Sequence, residues 1–308
     1  MPIFELFGIR FQAVSAPYGA AVFQEDEIAP TDHPPIAVKF ICNYDFRSRP
    51  PPIEELEAFS EGSRRHWVWE TDDGHHFRIG DALEAVVNRS LSELTIRLAP
   101  GETLERGLLF LSGAFVTFFL ILRGKWPLHA SAVRYKERTI AFVSPSGGGK
   151  TTWAAGLCTW GAELIADDVL VTMPSEAGLQ GFLGLPLLRL RTADLIPEGA
   201  PALRAPDGRY LWRPPQGPTR SSIDAVVLPA REATPEPSLR RLPPHEAVYG
   251  LAACPRIPGW RSRTMLERQF RTLAGVARLA PVVRVSVPRE WSTHRLRDEL
   301  PALIESLF

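Results

Sequence analysis

Short runs of alternating apolar and polar residues dominate the first hundred residues and predict a region built mainly of β-strands. The runs IFELFGIRFQAVS, PIAVKFICNYDF and LTIRLAP are rich in β-branched and aromatic residues, which favour strands. The run HWVWETDDGHHFRIGD predicts a hairpin that turns at Asp-Asp-Gly. One exception is RPPPIEELEAF, where a proline stop is followed by a predicted short helix.

The longest apolar run, GLLFLSGAFVTFFLIL at residues 107–122, lies within the stretch PGETLERGLLFLSGAFVTFFLILRG, which predicts one long helix. The run is short for a membrane span, and Arg106 and Arg123 bracket it closely. We therefore predict a buried core helix and no association with a membrane.

After residue 125 the pattern changes to strand, hairpin, strand, glycine-rich loop, helix and strand. A proline-rich stretch follows to about residue 220, and then a strand in SSIDAVVLPA, helices around 245–280, a strand in PVVRVSVP and a closing helix from about Thr293. We predict two domains, residues 1–125 and 126–308. The expected fold class is α/β (α+β), with a mixed sheet in the second domain and a smaller, mostly β first domain that ends in the long helix.

Composition adds limits on location and partners. The chain has 308 residues, 45% of them hydrophobic, and no net charge, yet residues 1–100 carry −7 (9 Lys+Arg, 16 Asp+Glu) and residues 201–308 carry +7 (17 against 10). No aromatic residues are interleaved with the basic ones in the way that nucleic-acid binding favours. Three scattered cysteines and the lack of a recognisable signal peptide predict a cytoplasmic protein. A homo-oligomer is left open.

A candidate phosphate-binding loop lies in AFVSPSGGGKTT, residues 141–152. An apolar strand leads in and a helix leads out, which is the context that such a loop needs. The predicted nucleotide contacts run from Ser146 through Gly147, Gly148 and Gly149 to Lys150, Thr151 and Thr152. Lys150 reaches the terminal phosphates, and the Thr151 hydroxyl is a candidate ligand for Mg²⁺. Ser144 stands where the usual pattern has its first glycine, and Ser144-Pro145 is itself a competent turn.

Two adjacent carboxylates, Asp167 and Asp168, interrupt the apolar strand ELIADDVLV only 17 residues after Lys150. Such a pair at the end of a buried strand needs a cation or a proton in transit. Phosphoryl transfer uses two groups of this kind, one for the metal and one for the proton of the attacking hydroxyl. The pair therefore favours a phosphotransferase over a protein that only binds nucleotide.

The stretch LHASAV…TIAFVSPSGGGKTTWAAGLCTWGAELIADDV resembles the catalytic core of HPr serine kinase/phosphorylase and its relatives. This resemblance covers residues 127–190 and implies a histidine, His129, beside the carboxylates. It implies a catalytic role for Asp167 and Asp168, of which we assign Asp167 as the base and Asp168, with Thr151, as the metal ligand. The family's acidic-Arg-Gly-Leu-Gly signature is absent where FLGLPLLRLR stands, so neither the phosphorylase reaction nor HPr as substrate carries over.

The pattern that remains is similar to HPr-kinase-like enzymes of peptide natural-product clusters, which phosphorylate a serine of a lasso-type precursor. Candidate phosphate or substrate ligands are Arg189, Arg191, Arg209 and Arg213. The sequence predicts a kinase that uses ATP or another nucleoside triphosphate with Mg²⁺, and that acts on a serine of a precursor peptide or small protein. Two alternatives stay open, which are a kinase for a small metabolite and a nucleotide-sensing module without catalysis.

Overall fold

The computed structural model describes residues 3–13, 34–47, 57–61, 64–205, 207–257 and 263–308. The chain divides into two compact units. The first comprises Met1–Lys125 with Ile257–Leu266, and the second comprises Trp126–Arg256 with Glu267–Phe308.

The first unit contains an eight-stranded sheet in the order β1-β2-β3-β8-β7-β6-β5-β4. Only the β2–β3 and β3–β8 pairs are parallel. The predicted hairpin is confirmed, because Thr71 pairs with Gly74 across a two-residue turn. The strands of this sheet are β1 (Ile3–Leu6), β2 (Ile9–Ala13), β3 (Ile36–Ile41), β4 (Glu57–Glu61), β5 (Arg64–Thr71), β6 (Gly74–Ile79), β7 (Leu83–Asn88) and β8 (Glu93–Leu98).

The helix predicted in RPPPIEELEAF is wrong where the structure describes it, because Glu57–Glu61 forms the strand β4. This segment pairs with β5 in antiparallel register, and pairing with a neighbouring strand overrides its local preference for a helix. Residues 49–56, the remainder of the predicted helix, lie outside the described residues.

The long apolar helix is confirmed and comprises α1 (Leu104–Phe110), a π-helical turn (Leu111–Phe115) and α2 (Val116–Leu122). The Thr103 hydroxyl caps its start by accepting from the Arg106 N–H at 3.3 Å. By length and composition alone this helix is able to cross a membrane, yet more than half of its most apolar window is buried. Its aromatic residues lie in the core of the first unit, where Phe115 and Phe118 contact the ring of Phe77.

The second unit has a six-stranded mixed sheet in the order β11-β9-β10-β18-β20-β19, with two three-stranded sheets, β12-β13-β17 and β14-β16-β15. The strands β10, β18 and β20 are parallel, and β9, β11 and β19 pair antiparallel to their neighbours. The strands are β9 (Ala130–Tyr135), β10 (Arg138–Val143), β11 (Glu163–Ala166), β12 (Thr172–Ser175), β13 (Gly178–Phe182), β14 (Leu188–Leu190), β15 (Ala202–Arg204), β16 (Tyr210–Trp212), β17 (Arg220–Ser222), β18 (Ala225–Glu232), β19 (Ser238–Arg241) and β20 (Val282–Pro288). The remaining helices are α3 (Lys150–Thr159), α4 (Pro244–Ala252), α5 (Arg263–Leu279) and α6 (Thr293–Glu305).

The expected mixed α/β fold class is confirmed, and its topology gathers three strand ends at one edge of the sheet. Because β9 runs antiparallel to both β10 and β11, the start of β9 lies beside the end of each. Val143 pairs with Ala130, and Ala166 pairs with Ala132. The residues that precede β9 and those that follow β10 and β11 therefore emerge together.

Candidate active site

The loop between β10 and α3 has a backbone shaped by its glycines. Gly149 has a φ of +100°, a left-handed conformation that favours glycine. A Cβ on Gly148 would lie 2.8 Å from both the Cβ and the Oγ of Ser144. The central glycine thus makes room for the serine that replaces the usual first glycine. The Gly148 N–H donates to the Pro145 carbonyl at 2.9 Å, and α3 begins at Lys150 immediately after the loop. A glycine turn before a helix N-terminus is an arrangement that binds phosphate.

A left-handed residue brings the two adjacent carboxylates into one cavity. In a regular strand Asp167 and Asp168 would point to opposite faces. The strand β11 ends at Ala166, however, and Asp168 has a φ of +71°. Strand-like pairing resumes at Leu170, which exchanges two backbone hydrogen bonds with Leu128 at 2.8 and 3.0 Å. Both carboxylates consequently line the same cavity. A left-handed conformation costs a residue with a Cβ roughly 1–2 kcal/mol, and such positions concentrate at functional sites.

Asp167 is fixed to the phosphate-binding loop. Its Oδ1 accepts from the Ser131 hydroxyl at 2.5 Å and from the Thr151 hydroxyl at 2.9 Å, and its Oδ2 accepts from the Arg189 backbone N–H at 3.1 Å. Burial raises the pKa of Asp167 above its usual value, and the charge of Asp168 adds to this effect. Binding of a cation beside this carboxylate is therefore favourable.

Asp168 is surrounded by cations and donors. Its Oδ1 lies 3.0 Å from the Nε2 of His129 and 3.5 Å from the Nζ of Lys150, and its Oδ2 lies 2.7 Å from the Nη2 of Arg256. Burial on its own would raise the pKa of Asp168. Arg256, His129 and Lys150 together outweigh burial and hold this pKa well below its usual range, so the carboxylate is ionised.

His129 is a neutral partner of that carboxylate. Burial lowers its pKa below the usual value, against the opposing attraction of Asp168. Because an ionised carboxylate only accepts hydrogen bonds, Nε2 carries the hydrogen and Nδ1 is unprotonated. The Nδ1 is buried and has no hydrogen-bond partner among the described residues. The imidazole of His129 thus orients the Asp168 carboxylate by donating a hydrogen bond from Nε2.

Arginines in or next to the strands β14 and β16 form one wall of the cavity. Arg189, Arg191 and Arg209 all line it. The Arg191 guanidinium lies beside the loop, where a Cβ on Gly147 would be 3.2 Å from its Nη2. Arg189 donates to Asp207 Oδ2 at 2.7 Å, and Arg209 Nε lies 3.6 Å from the same oxygen. Burial, together with repulsion from Arg189 and Arg191, lowers the pKa of Arg209. Three arginines beside the single carboxylate of Asp207 make this wall positively charged.

The structure brings most of the predicted site residues to this one cavity. Gly148 packs on Ser144 beneath the loop, and His129 reaches the site through Asp168. Arg213 is half-buried and is not among the described lining residues. The predicted residues that do line the cavity are Ser146, Gly147, Gly149, Lys150, Thr151, Thr152, Asp167, Asp168, Arg189, Arg191 and Arg209.

The two aspartates have other partners than their predicted roles imply. His129, which is predicted to lie beside the carboxylates, contacts Asp168 and not the predicted base Asp167. Thr151, which is predicted to share a metal with Asp168, donates to Asp167. The reason is the turn after Ala166, because the left-handed Asp168 directs its side chain towards the start of β9 while Asp167 faces the start of α3.

Two residues of the site escaped the sequence analysis. Ser131 is fully buried and follows His129 by two positions, so strand alternation offered a signal for it. Arg256 lies in the connection after α4, in the run CPRIPGW, where no local pattern marks it. Only the fold shows that its guanidinium reaches Asp168.

The residues present fit a magnesium ion. Mg²⁺ at phosphoryl-transfer sites takes one or two carboxylates, water and phosphate oxygens rather than a cage of protein side chains. The Thr151 hydroxyl and the Asp167 carboxylate, 2.9 Å apart, are oxygen donors of the right kind. In the part of the chain that the structure describes, no group of three or more His, Cys, Asp or Glu residues is arranged to hold a metal by itself.

No family model matches the chain, and no curated protein matches it. Among solved structures, the chain is similar to the HPr(Ser) kinase/phosphatase from Coxiella burnetii. That similarity has 14% sequence identity and a TM-score of 0.32, and it covers 59% of this chain and 93% of the other. At this TM-score the similarity carries no conclusion about function.

Proposed function

We propose that the protein is a Mg²⁺-dependent kinase that transfers the γ-phosphoryl group of a nucleoside triphosphate to a hydroxyl. The observation that carries the proposal is the division of partners between the two carboxylates. Asp167 contacts the loop hydroxyl of Thr151, and Asp168 contacts His129 and Lys150. A site that only holds a nucleotide needs the contact between Asp167 and Thr151. A site that also activates a hydroxyl needs a second carboxylate, which Asp168 supplies.

Thr151 and Asp167 would hold the metal, which neutralises charge on the phosphates when it is bound. Ser131 fixes the Asp167 carboxylate by a hydrogen bond to the same oxygen that accepts from Thr151. The phosphates bind to the loop N–H groups, the start of α3 and Lys150. Arg191 lies beside the loop at Gly147.

Asp168 is the proposed base, in place of Asp167. It accepts the proton of the acceptor hydroxyl while the hydroxyl oxygen bonds to the γ-phosphorus and the bond from that phosphorus to the bridging oxygen breaks. His129 orients the carboxylate through its Nε2–H. Lys150 is drawn to the phosphates when nucleotide binds, which removes one cation from Asp168 and makes it a stronger base.

For the acceptor, we propose a serine of a peptide or small protein, such as a lasso-type precursor. The support is the motif order in residues 127–190 together with the positive wall of Arg189, Arg191 and Arg209, which suits a flexible, acidic chain. A mass-spectrometric screen of serine-containing precursor peptides for an added phosphate tests this part of the proposal separately.

The two aspartates make the proposal testable, with Asp194→Asn as a control because Asp194 is an exposed carboxylate in a nearby loop. Asp168→Asn is expected to bind Mg·ATP with an affinity close to that of the wild type but to transfer phosphate about 10²–10⁴ times more slowly. Asp167→Asn is expected to weaken the Mg²⁺-dependent part of ATP affinity, measured by calorimetry with Mg²⁺ and with EDTA.

If Asp168→Asn turns over γ-labelled ATP at the wild-type rate, the assignment of the base is wrong. If the wild type binds Mg·ATP tightly and transfers its phosphate neither to water nor to any supplied hydroxyl, the protein is a nucleotide sensor instead.

A further inference from the structure

We infer that Arg256 occludes the catalytic base and recognises an anionic group on the acceptor, so that a carboxylate or phosphate near the acceptor hydroxyl exposes Asp168 as it binds. This inference rests on the proposed kinase function. It adds to that function the chemical class of the acceptor, which is a hydroxyl compound that carries an anion.

The two oxygens of Asp168 are in different situations. Oδ1 is shared by His129 and Lys150, at 3.0 and 3.5 Å, and among the described residues Oδ2 forms an ion pair only with Arg256, at 2.7 Å. Nucleotide draws Lys150 away, but His129 still occupies Oδ1. The oxygen left to accept a proton is Oδ2, and Arg256 has to leave it first.

Arg256 approaches Asp168 from outside the nucleotide cavity. Asp168 is among the described residues that line that cavity, and Arg256 and His129 are not. The Arg256 side chain is 15% exposed and that of Asp168 is 24% exposed, so the pair is accessible from solvent. An acceptor has to reach Asp168 without displacing the nucleotide, and the side that Arg256 occupies meets this condition.

The guanidinium is also incompletely bonded. Its Nη2 donates to Asp168, whereas its Nε is buried and has no hydrogen-bond partner among the described residues. A buried donor without an acceptor is unfavourable. When the guanidinium turns away from Asp168, a carboxylate or phosphate that binds along the edge formed by Nε and Nη2 makes two parallel hydrogen bonds, which satisfies Nε and replaces Asp168 as the partner of Nη2.

The test uses water as the acceptor, because hydrolysis of ATP needs no identified substrate. A water oxygen attacks the γ-phosphorus, the bond to the bridging oxygen of the leaving diphosphate breaks, and Asp168 takes the proton. If Arg256 occludes the base, Arg256→Ala is expected to raise the hydrolysis rate at least fivefold, with Mg·ATP affinity unchanged. Acetate is expected to raise the wild-type rate at least threefold over sodium chloride of equal ionic strength, and to leave Arg256→Ala unaffected.

Arg256→Lys keeps the charge but lacks the planar edge, so it is expected to lose stimulation by acetate. Inorganic phosphate replaces acetate in a parallel series, and the more effective anion identifies whether the acceptor carries a carboxylate or a phosphate. Thermal melting of each variant confirms that it is folded. A rate for Arg256→Ala at or below the wild-type rate overturns the inference, as does equal stimulation of wild type and Arg256→Ala by acetate.

Other outcomes would show that the proposed kinase function, and not only the role of Arg256, is wrong. If the wild type does not bind Mg·ATP, or if Asp168→Asn hydrolyses ATP as fast as the wild type, the kinase assignment itself is wrong. If ATP binds and Asp168→Asn abolishes hydrolysis, but Arg256→Ala shows no rise, then only the role of Arg256 is wrong.

Discussion

Each of the two units contains a carboxylate surrounded by cations, and the two clusters differ in what encloses them. In the first unit Glu84 accepts from Arg78 at 2.6 Å and from Arg97 at 2.7 Å, with His76 at 3.4 Å. In the second unit Asp168 is held by Arg256, His129 and Lys150. Judged only by their partners, the two clusters look alike.

The Glu84 and Asp168 clusters differ in backbone conformation and in accessibility to solvent. Glu84 lies in the regular strand β7 and is fully buried, and the guanidinium of Arg78 stacks 4.8 Å from the ring of Phe46 and 5.1 Å from that of Trp69. Asp168 has a left-handed backbone and lines a cavity. An unpartnered nitrogen does not distinguish the clusters, because Arg97 Nε and Arg256 Nε both lack a partner among the described residues. An enclosed, stacked cluster supports the fold, whereas a strained one that opens on a cavity is suited to chemistry.

The largest expected effect comes from the cluster assigned to stability. Glu84→Gln leaves the buried Arg78 and the partly buried Arg97 without their anion, so we expect the free energy of unfolding to fall by about 3–5 kcal/mol. Urea denaturation measures this change. The matched control is Glu93→Gln, which removes a partly exposed pair with Lys39 and is expected to cost at most about 1 kcal/mol. Equal effects of the two variants would show that the Glu84 cluster is not structural.

A smaller effect is expected where the loop packs on itself. Gly148→Ala places a Cβ 2.8 Å from Ser144, so the loop has to shift and ATP affinity is expected to fall about tenfold, or about 1.4 kcal/mol. The double variant Gly148→Ala with Ser144→Gly removes the clash and is expected to recover most of the affinity. Calorimetry with Mg·ATP measures both variants, and a double variant as weak as the single one would contradict the packing argument.

The two clusters are also expected to respond to different ranges of pH. The pKa of Glu84 is lowered in the folded protein, so its stabilisation is complete above its ordinary value of 4.5 and is lost as the pH falls through the folded pKa. The pKa of His129 is lowered as well, so below its ordinary value of 6.5 the unfolded chain binds a proton that the folded protein excludes, and stability falls. Melting temperatures measured between pH 8 and 3 test both effects. Glu84→Gln is expected to remove the loss of stability at the lower pH, and His129→Gln is expected to remove the loss that begins below pH 6.5. A His129→Gln curve parallel to the wild-type curve near neutral pH would contradict this.

The smallest effect is on thiol reactivity. Burial raises the pKa of Cys158 to about 12 and that of Cys254 to about 11, whereas Cys42 is exposed. Iodoacetamide at pH 8 is therefore expected to label Cys42 first and to spare the other two until the protein unfolds. Peptide mass spectrometry locates the label, and early labelling of Cys158 would show that the second unit opens more readily than its packing indicates.

Local sequence patterns predicted β9, β10, β11, β18 and β20 and the helices of the second unit, because these have strong periodicity and clear stops. They did not predict β19 or the short strands β12 to β17, which lie in the stretch described only as proline-rich. They also predicted the loop and both aspartates, since glycines beside a lysine and two carboxylates in an apolar strand are unusual in themselves. The partners of each aspartate were not predictable. They depend on the φ of +71° at Asp168, and no residue pattern specifies that Asp rather than Gly turns the chain there.

Two other differences have separate origins. The segment Glu57–Glu61 pairs with the next strand, β5, and this local pairing overrides its preference for a helix. Arg256 reaches Asp168 from a connection far along the chain, so composition and spacing hold no information about that contact.

The pair of backbone hydrogen bonds between Leu128 and Leu170 has a consequence for how the site forms. These bonds close a single segment of chain that contains His129, Ser131, the phosphate-binding loop and both aspartates. Contacts within one short stretch have a low entropic cost of loop closure and form early in folding. Arg256 joins the site from far along the chain. The catalytic groups can therefore assemble before the residue that occludes them arrives.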